Sequence, residues 1–373
     1  MTEFRFVHSS DLHLGRRFGR LPEEVRGPLA EARHTALARL AAAARAHGAA
    51  HVLLAGDTFD TPTPSDRVLR QALNAMAEAA GVSWWLLPGN HDSAAGAEPL
   101  WERIAAEAPA NVHPVREAAP VNLAPGVTLL PAPVTRPAPG RDLTSALDAM
   151  ESLEGALRIG LAHGGVVDFA ETGASIPPDR DRRAGLDYLA LGDWHGRLSV
   201  SARTQYPGTP EQDRFRHGRR GVCLAVTLPG PGAAPVIEEV ETGVFLWREE
   251  RLPLVPGTDP EAQLAALLPA SGRREVLLRL SAEGRARLAE RAALARAAAA
   301  AAPDFWHFDL IADALATEPD AADLDAIDQA GALRRAADAL AAEAADETLD
   351  ATARRTAAAA LARLYAYVVE GAA

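Results

Sequence analysis

Three short polar segments, each placed where an apolar run ends, constrain this chain more than any other feature of its sequence. They are Asp11–His13, Gly56–Asp60 and Gly89–Asp92, separated by about 45 and about 30 residues. The apolar runs that lead into them are Phe4–Val7, His51–Leu54 and Val82–Leu87. One such segment would carry little weight. Three in this order, each at the end of a strand-like run, are hard to obtain by chance and indicate one polar site built from several loops.

The residue types in these segments suit hard divalent cations. Two such ions about 3.5–4 Å apart can hold a phosphate and activate a water molecule. Asp57 is a short acid that can bridge both ions, and Gly56 before it lets the backbone turn sharply at the strand end. Asp11 and His13 are two residues apart on a segment expected to be extended, so both side chains can reach one ion.

Further polar residues complete the predicted site. Asn90 offers a neutral carbonyl oxygen to the second ion, and His91 beside it is a candidate to protonate the leaving oxygen. His163 ends another strand-like run, and Asp193 and His195 repeat the two-residue spacing of the first segment. The remaining histidines have no such context and are interpreted as structural or surface residues: His8, His34, His47, His51, His113, His217 and His307.

The order of the apolar stretches predicts an α/β (α+β) fold. An early β-α-β-α-β order followed by consecutive strands predicts a two-sheet β-sandwich flanked by helices. Helices are predicted over 28–47, 65–80 (with Ser65 as the N-cap), 98–107 and 142–150. Further strands are predicted near 111–116, 127–131, 157–162, 186–191, 221–228, 235–241 and 244–248.

The chain changes character near residue 250, which predicts three domains. Residues 1–248 form the large domain that carries the polar segments, and Leu252–Gly257 is interpreted as a linker. Residues 249–317 are expected to form a small α/β domain, with helices over 260–268 and 282–301 and strands over 275–280 and 305–311. Residues 318–373 are expected to form a helical segment, in which Ala332–Ala345 and Thr352–Val368 are either a solvated appendage or a partner-binding hairpin.

Bulk composition sets limits without deciding the substrate. No apolar run approaches the ~20 residues needed to cross a bilayer, so no membrane association is expected. A single cysteine, Cys223, and a strand-like segment at the start of the chain favour a cytoplasmic protein. The net charge of −12 argues mildly against a nucleic-acid partner. Arginines nevertheless cluster near the polar segments: Arg16, Arg17, Arg20, Arg214, Arg216, Arg219 and Arg220.

Taken together, the polar segments resemble the pattern of the calcineurin-like metallophosphoesterase superfamily. That pattern is D-x-H, G-D-x-x-D, G-N-H-D/E, a lone histidine and G-H-x-H, and the similarity covers roughly residues 4–245. The opening Val7–Gly15 and the segment Tyr206–Glu211 resemble the SbcD-type DNA repair exonucleases within it. The small α/β domain is similar to the DNA-capping domain of those nucleases.

The resemblance implies a reaction, a set of ligands and partners. The reaction would be metal-dependent hydrolysis of DNA phosphodiesters with two divalent cations, expected to be Mn²⁺, with Mg²⁺ or iron as alternatives. The partners would be DNA, a coiled-coil ATPase of the SbcC type and a second copy of the chain. One ion would be held by Asp11, His13, Asp57 and His195, and the other by Asp57, Asn90, His163 and Asp193. His91 would act as general acid or transition-state stabiliser, with Asp60 hydrogen-bonded to it.

One position departs from the family pattern, and two other functions stay open. Asp193 stands where the family has histidine. A carboxylate can bind Mn²⁺ or Mg²⁺, but it is shorter than an imidazole and adds negative charge to the site. A phosphodiesterase for a small nucleotide would need a closed pocket over the ions and no arginines beyond them. If the protein is a non-catalytic scaffold, Asp193 marks the loss of a functional metal site.

Overall fold

The computed structural model describes residues 3–166 and 175–371, and the chain divides into two compact units. The units are Met1–Leu246 and Trp247–Ala373. The first contains β1 (Phe4–Ser9), α1 (Glu23–Ala46), β2 (His51–Leu54), α2 (Asp66–Glu78), β3 (Ser83–Leu86), α3 (Glu98–Glu107), β4 (Val112–Pro114), β5 (Val121–Ala124), β6 (Val127–Ala132), β7 (Leu157–His163), α4 (Arg180–Arg183), β8 (Tyr188–Gly192), β9 (Leu198–Ser199), β10 (Thr204–Tyr206), β11 (Val222–Leu228) and β12 (Val236–Glu241). The prediction of three domains divided at 248 and 317 stays a prediction.

Two six-stranded sheets form the first unit, which confirms the predicted sandwich. One has the order β12-β11-β1-β2-β3-β4 and the other β5-β6-β7-β8-β10-β9. The strands β1 to β4 are parallel, and so are β6, β7, β8 and β10. Phe6 and Leu53 of one sheet pack with Leu129 and Ile159 of the other in a buried core. The carboxyl ends of the parallel strands therefore meet at one edge of the sandwich.

Helices α1, α2 and α3 cover the outer face of the first sheet. Leu37, Leu73 and Trp101 from these helices pack against Leu54 and Trp84 of the strands. This burial follows from the apolar stripe of each helix, because such a stripe is stable only against another apolar surface.

The structure confirms some of the helix ends predicted from the sequence and differs at others. Helix α2 is capped by Ser65, whose hydroxyl accepts the Val68 N–H at 3.4 Å. Helix α1 was predicted to begin at Pro28, but it begins five residues earlier, at Glu23, and Pro28 lies inside the helix. The helix predicted over 142–150 is a short 3₁₀ helix, Leu143–Ala149, capped by Asp142.

The second unit has its own three-stranded sheet and a helical group. Its elements are β13 (Leu246–Leu254), α5 (Pro260–Leu267), β14 (Val276–Ala286), α6 (Leu288–Ala301), β15 (His307–Thr317), α7 (Ala321–Ile327), α8 (Ala332–Ala345) and α9 (Ala351–Gly371). The sheet order is β13-β14-β15, with β14 and β15 parallel. Leu288 of α6 shares a buried cluster with Ala337 of α8 and Leu361 of α9, so the C-terminal helices pack on α6.

Two predictions in this unit were wrong at element boundaries. The expected linker Leu252–Gly257 is partly strand, because Leu252 and Leu254 point into the core and Pro253 points out, as an edge strand permits. The helix expected from residue 282 begins only at Leu288, because β14 continues through Ala286 with Ala282 buried. Among the described residues, no helix is long and apolar enough to cross a membrane.

Candidate metal centre

The three polar segments of the sequence come together because their strands are parallel neighbours. The loops after β1 and β2 are tied by several backbone hydrogen bonds, among them Asp11 N to the Gly56 carbonyl (3.1 Å) and His13 N to the Asp57 carbonyl (2.9 Å). The loop after β3 joins them through the His91 N–H, which donates to Asp57 Oδ1 at 2.9 Å. These contacts fix the three loops relative to one another.

Backbone strain is concentrated at this edge. In the part of the chain that the structure describes, five non-glycine residues have positive φ, and four of them are Asp11 (54°), His13 (44°), Asp57 (54°) and Asp193 (101°). Such conformations cost roughly 1–3 kcal/mol each and persist where surrounding structure enforces them, often at functional sites. The first segment is therefore left-handed rather than extended as expected, yet its two side chains still converge.

The first group of candidate ligands is Asp11, His13 and His195. The Nε2 atoms of the two histidines lie 3.3 Å apart, and Asp11 Oδ1 lies 3.8 Å from His195 Nε2. Each of the three side chains offers one ligand atom, and these three atoms lie within 4.8 Å of one another. Imidazole nitrogen and carboxylate oxygen are suitable donors for divalent transition ions, so this group fits a cation.

The second group surrounds His163 on the other side of Asp57. Oδ2 of Asp57 lies 3.6 Å from His163 Nε2 and 3.6 Å from His13 Nε2. Asn90 Oδ1 lies 2.7 Å from His163 Nε2. Asp11, Asp57 and His163 also form a group within 4.8 Å at one ligand atom each. The equal distances place Asp57 between the two groups, where a bridging ligand would lie.

Each histidine of these groups is held through its other ring nitrogen. His13 Nδ1 lies 3.1 Å from Asp60 Oδ1, and His195 Nδ1 lies 3.0 Å from Asp213 Oδ2. His163 Nδ1 lies 2.8 Å from the Ala55 carbonyl oxygen. At His13 and His163, an acceptor at Nδ1 favours a proton there and leaves the Nε2 lone pair for a cation. At His195, the Arg214 guanidinium also lies 3.0 Å from Nδ1 and 3.2 Å from Nε2. All three rings are therefore oriented with Nε2 toward the centre.

His91 lies beside the two groups, and it forms a third group with His13 and Asp60 whose ligand atoms are within 4.8 Å of one another. Its ring packs edge-to-face on His13, with the centroids 4.6 Å apart, and its side chain is exposed. Nδ1 lies 2.8 Å from the Asp60 carbonyl oxygen. The expected hydrogen bond between Asp60 and His91 is thus made by the backbone of Asp60. The Asp60 carboxylate lies on His13 instead, because the tight turn after Asp57 directs it there.

Asp193 reaches the second group from its exposed side. Its carboxylate Oδ1 lies 3.8 Å from His163 Nε2, and its side chain is 40% exposed. Its backbone N–H lies 3.2 Å from both carboxylate oxygens of Asp11. Burial raises the pKa of Asp193, and the neighbouring Asp11 and Asp57 carboxylates raise it further. The side chain is near the second group but further from it than the other candidate ligands.

Comparison with known families agrees with this geometry. The family model for calcineurin-like phosphoesterases matches residues 4–193, just over half of the chain. The chain belongs to the calcineurin-like phosphoesterase family. This family uses divalent metal ions, and the two ligand groups described above fit such ions. The SbcD-type branch of the superfamily stays a prediction.

Two individual proteins are similar to this phosphoesterase. The uncharacterized metallophosphoesterase YhaO of Bacillus subtilis (strain 168) is 28% identical over an alignment of 257 positions that covers 62% of this chain. The chain spans 59% of the length of that relative. The crystal structure of TT1561 of Thermus thermophilus covers 64% of this chain and 99% of its own, with 13% identity and a TM-score of 0.42.

Glycines of the phosphoesterase motifs are required by close packing. A Cβ at Gly89 would collide with Asp57 Oδ1, and a Cβ at Gly56 would collide with the His163 ring. Gly192, before Asp193, lies against the Ala55 carbonyl oxygen in the same way. The glycine before Asp57, expected only to permit a turn, therefore also leaves space for a ligand.

Two buried acids of the site were not assigned roles from the sequence. Asp92 accepts the Gly89 N–H at 2.7 Å and the Phe59 N–H at 3.1 Å, which joins the second and third motif loops. Burial and the nearby Asp57 carboxylate raise the pKa of Asp92 to about 7. Asp213 orients His195, and the one available signal was its position two residues after the Tyr206–Glu211 segment.

Carboxylates around His163 make its titration a test of cation binding. Burial lowers the pKa of His163, but Asp57, Asp11 and Asp193 outweigh burial and raise it to about 9. Protonated His163 therefore stabilises the folded protein without a cation, and this stabilisation is complete at a pH below the ordinary pKa of histidine. It is lost as the pH rises through about 9. A cation must displace that proton at neutral pH.

We expect Mn²⁺ binding near neutral pH to release about one proton from His163, because only the unprotonated imidazole is a ligand. Apparent affinity should rise up to about tenfold per pH unit below the pKa and level off above it. Calorimetric titration in two buffers of different ionisation enthalpy measures the release. Binding without proton release at neutral pH would contradict the placement of His163 as a ligand.

Proposed function

We propose that this phosphoesterase hydrolyses phosphodiester bonds of DNA, with two Mn²⁺ ions at the centre formed by the motif loops. The arrangement of Asp57 at equal distances from His13 and His163 supports two cations rather than one. When bound, such a pair would supply positive charge next to the phosphate and next to the water oxygen that attacks it. Asp11, Asn90, His163, Asp193 and His195 are the further ligands in this proposal.

His91 is the proton donor in the proposed reaction. The Asp60 carbonyl oxygen lies 2.8 Å from His91 Nδ1 and orients the ring. Transfer of the Nε2 proton to the leaving oxygen would avoid the release of an unprotonated alkoxide. Because the His91 side chain is exposed, it can reach an oxygen of a substrate that lies across the motif loops.

The small volume of the cavity beside the centre is the observation that favours a polymer as the substrate. The cavity lined by Asn90, His163 and Asp193 has a volume of only about 50 Å³. Pockets that enclose small molecules measure roughly 300–1,000 Å³. A small nucleotide would therefore not be enclosed by this cavity. A strand of DNA, in contrast, needs only one phosphate at the centre and can continue over the surface.

Arginines at the rim support the same substrate. A guanidinium nitrogen of Arg214 lies 3.0 Å from His195 Nδ1, and the Arg214 side chain is 42% exposed. Arg141 lines the cavity beside His163 and is exposed. Arg216 lies over the Trp194 ring at 5.1 Å. Guanidinium groups are common contacts to DNA phosphates, so these positions could hold the strand on both sides of the cleaved bond.

The proposal is tested by cleavage of single- and double-stranded DNA beside bis-p-nitrophenyl phosphate, each with Mn²⁺ and with Mg²⁺. We expect Mn²⁺-dependent cleavage of DNA, because the site is open and basic at its rim. Arg141→Ala should weaken DNA cleavage severalfold and lower turnover of the small diester by less, since only DNA also contacts the rim away from the cleaved bond. Turnover of the small diester without any cleavage of DNA would contradict the proposal and favour a small-substrate phosphodiesterase.

The expected partners other than DNA stay proposals. A coiled-coil ATPase of the SbcC type would bind the helical group of the second unit, where α8 and α9 pack together. A second copy of the chain is the other expected partner. The assay above uses the isolated chain.

A further inference from the structure

A single arginine contacts both carboxylates that hold the histidines of the first ligand group. Arg16 NH1 lies 3.5 Å from Asp60 Oδ1 and 3.3 Å from Asp213 Oδ2. Asp60 in turn holds His13, and Asp213 holds His195. One guanidinium nitrogen is thus shared by the outer supports of two ligands that approach the same cation.

We propose that Arg16 is a positioning residue for the first cation. It holds the Asp60 and Asp213 carboxylates together, and through them it orients His13 and His195. This inference rests on the proposed two-cation centre but not on DNA as the substrate. It adds Arg16 and Asp213 to the residues that determine metal binding, although neither contacts the cation.

Asp213 is suited to this role because it is enclosed by positive groups. Its side chain is fully buried, and its Oδ1 lies 3.1 Å from Arg214 Nε. Arg33 NH2 lies 3.5 Å from Oδ2, and Arg33 NH1 donates to the Glu211 carbonyl at 2.8 Å. A carboxylate removed from water is costly unless it is paired, so these arginines are what keep a charged acceptor beside His195.

The local chain explains why Arg16, and not its neighbour, reaches both acids. Gly15 has a φ of 91°, and Arg16 N donates to the His13 carbonyl at 3.2 Å, so the chain turns back on the first motif. The Arg16 side chain is 27% exposed and packs near the Phe18 ring at 5.8 Å. Arg17 is exposed and therefore provides a matched control of the same charge.

Two physical effects of Arg16 on a cation have opposite signs, which makes the inference testable. As a positive charge near the site, the guanidinium repels a cation, so its loss would tighten binding. As a support of the carboxylates, it orients the ligands, so its loss would weaken binding. Loss of such outer contacts typically lowers metal affinity by about 10–100-fold. The direction of the change therefore separates the two effects.

The experiment is calorimetric titration of the full chain with Mn²⁺, for the wild type, Arg16→Gln, Arg16→Lys and Arg17→Gln. We expect Arg16→Gln to weaken one of the two ions about tenfold or more and the other by less than about twofold. Arg16→Lys should recover part of the loss, because it keeps the charge but cannot span both acids as well. Arg17→Gln should match the wild type. Unchanged or tighter binding in Arg16→Gln would overturn the inference.

A second variant keeps the test valid if Arg16→Gln does not fold. Asp213→Asn keeps the shape of the side chain and should weaken the same ion about tenfold. In the double variant with Arg16→Lys the two effects should be less than additive, because both act through His195. Additive effects would overturn the inference. A wild-type chain that binds no Mn²⁺ would instead contradict the proposed centre, so the two failures are distinguishable.

Discussion

Asp57→Ala is expected to remove both cations from the protein. Oδ2 of Asp57 is equally distant from the nearest histidine of each ligand group, at 3.6 Å, so neither group is complete without it. Its Oδ1 also accepts the His91 N–H, so the third motif loop loses a contact. We expect hydrolysis to fall by roughly 10⁴-fold, which corresponds to about 5.4 kcal/mol at 1.36 kcal/mol per tenfold.

The measurement is the number of Mn²⁺ ions per chain after dialysis, together with turnover of bis-p-nitrophenyl phosphate. Asp66→Ala is the control, because this aspartate at the start of α2 is largely exposed and pairs with Arg103. It should keep two ions and full activity. One ion held tightly in Asp57→Ala would show that Asp57 serves a single cation and does not bridge.

His91→Ala is expected to lower turnover by about 10²–10⁴-fold, the range for loss of a general acid, while both cations stay bound. The separation of effects follows from the structure. The contact to Asp57 is made by the His91 backbone N–H, which alanine retains, and the His91 ring belongs to neither group around Asp57. The bridging carboxylate should therefore remain in place when the ring is removed.

Single-turnover cleavage and metal content, measured on the same sample, test this assignment. His47→Ala serves as the control, because this histidine follows α1 and pairs with the exposed Glu238. Its activity and metal content should match those of the wild type. If His91→Ala loses cations in proportion to its activity, then His91 is a ligand and the general acid lies elsewhere.

Much of the fold and the inner part of the site could be predicted because the signals are local. Each polar motif follows a short apolar run, and parallel neighbouring strands bring such ends to one edge. The alternation of β1, α1, β2, α2 and β3 is therefore visible in the sequence and confirmed in the sandwich. The metal ligand assignments for individual residues stay predictions until cations are measured.

The outer supports could not be predicted because they depend on contacts across the fold. Arg33 of α1 reaches Asp213, which is about 180 residues later in the chain, and no local pattern announces this pairing. The position of the Asp60 carboxylate on His13 depends on how the loops after β1 and β2 fit together. Long-range packing of this kind is invisible to periodicity and spacing.

Asp193 shows how a family pattern can change without removing the site. The backbone at this position has a φ of 101°, and its N–H donates to the Asp11 carboxylate. This structural contact does not depend on the side chain of residue 193. The carboxylate lies 3.8 Å from His163 Nε2, further than Asp57 Oδ2 at 3.6 Å and Asn90 Oδ1 at 2.7 Å. The second cation is consequently expected to bind more weakly than the first.

Anomalous diffraction from crystals grown with Mn²⁺ tests the central claim most directly. We expect two anomalous peaks about 3.5–4 Å apart with Asp57 between them. One should lie against His13 and His195, and the other against Asn90 and His163. A single peak, or two peaks without Asp57 as their shared ligand, would contradict the two-cation centre on which the proposed function depends.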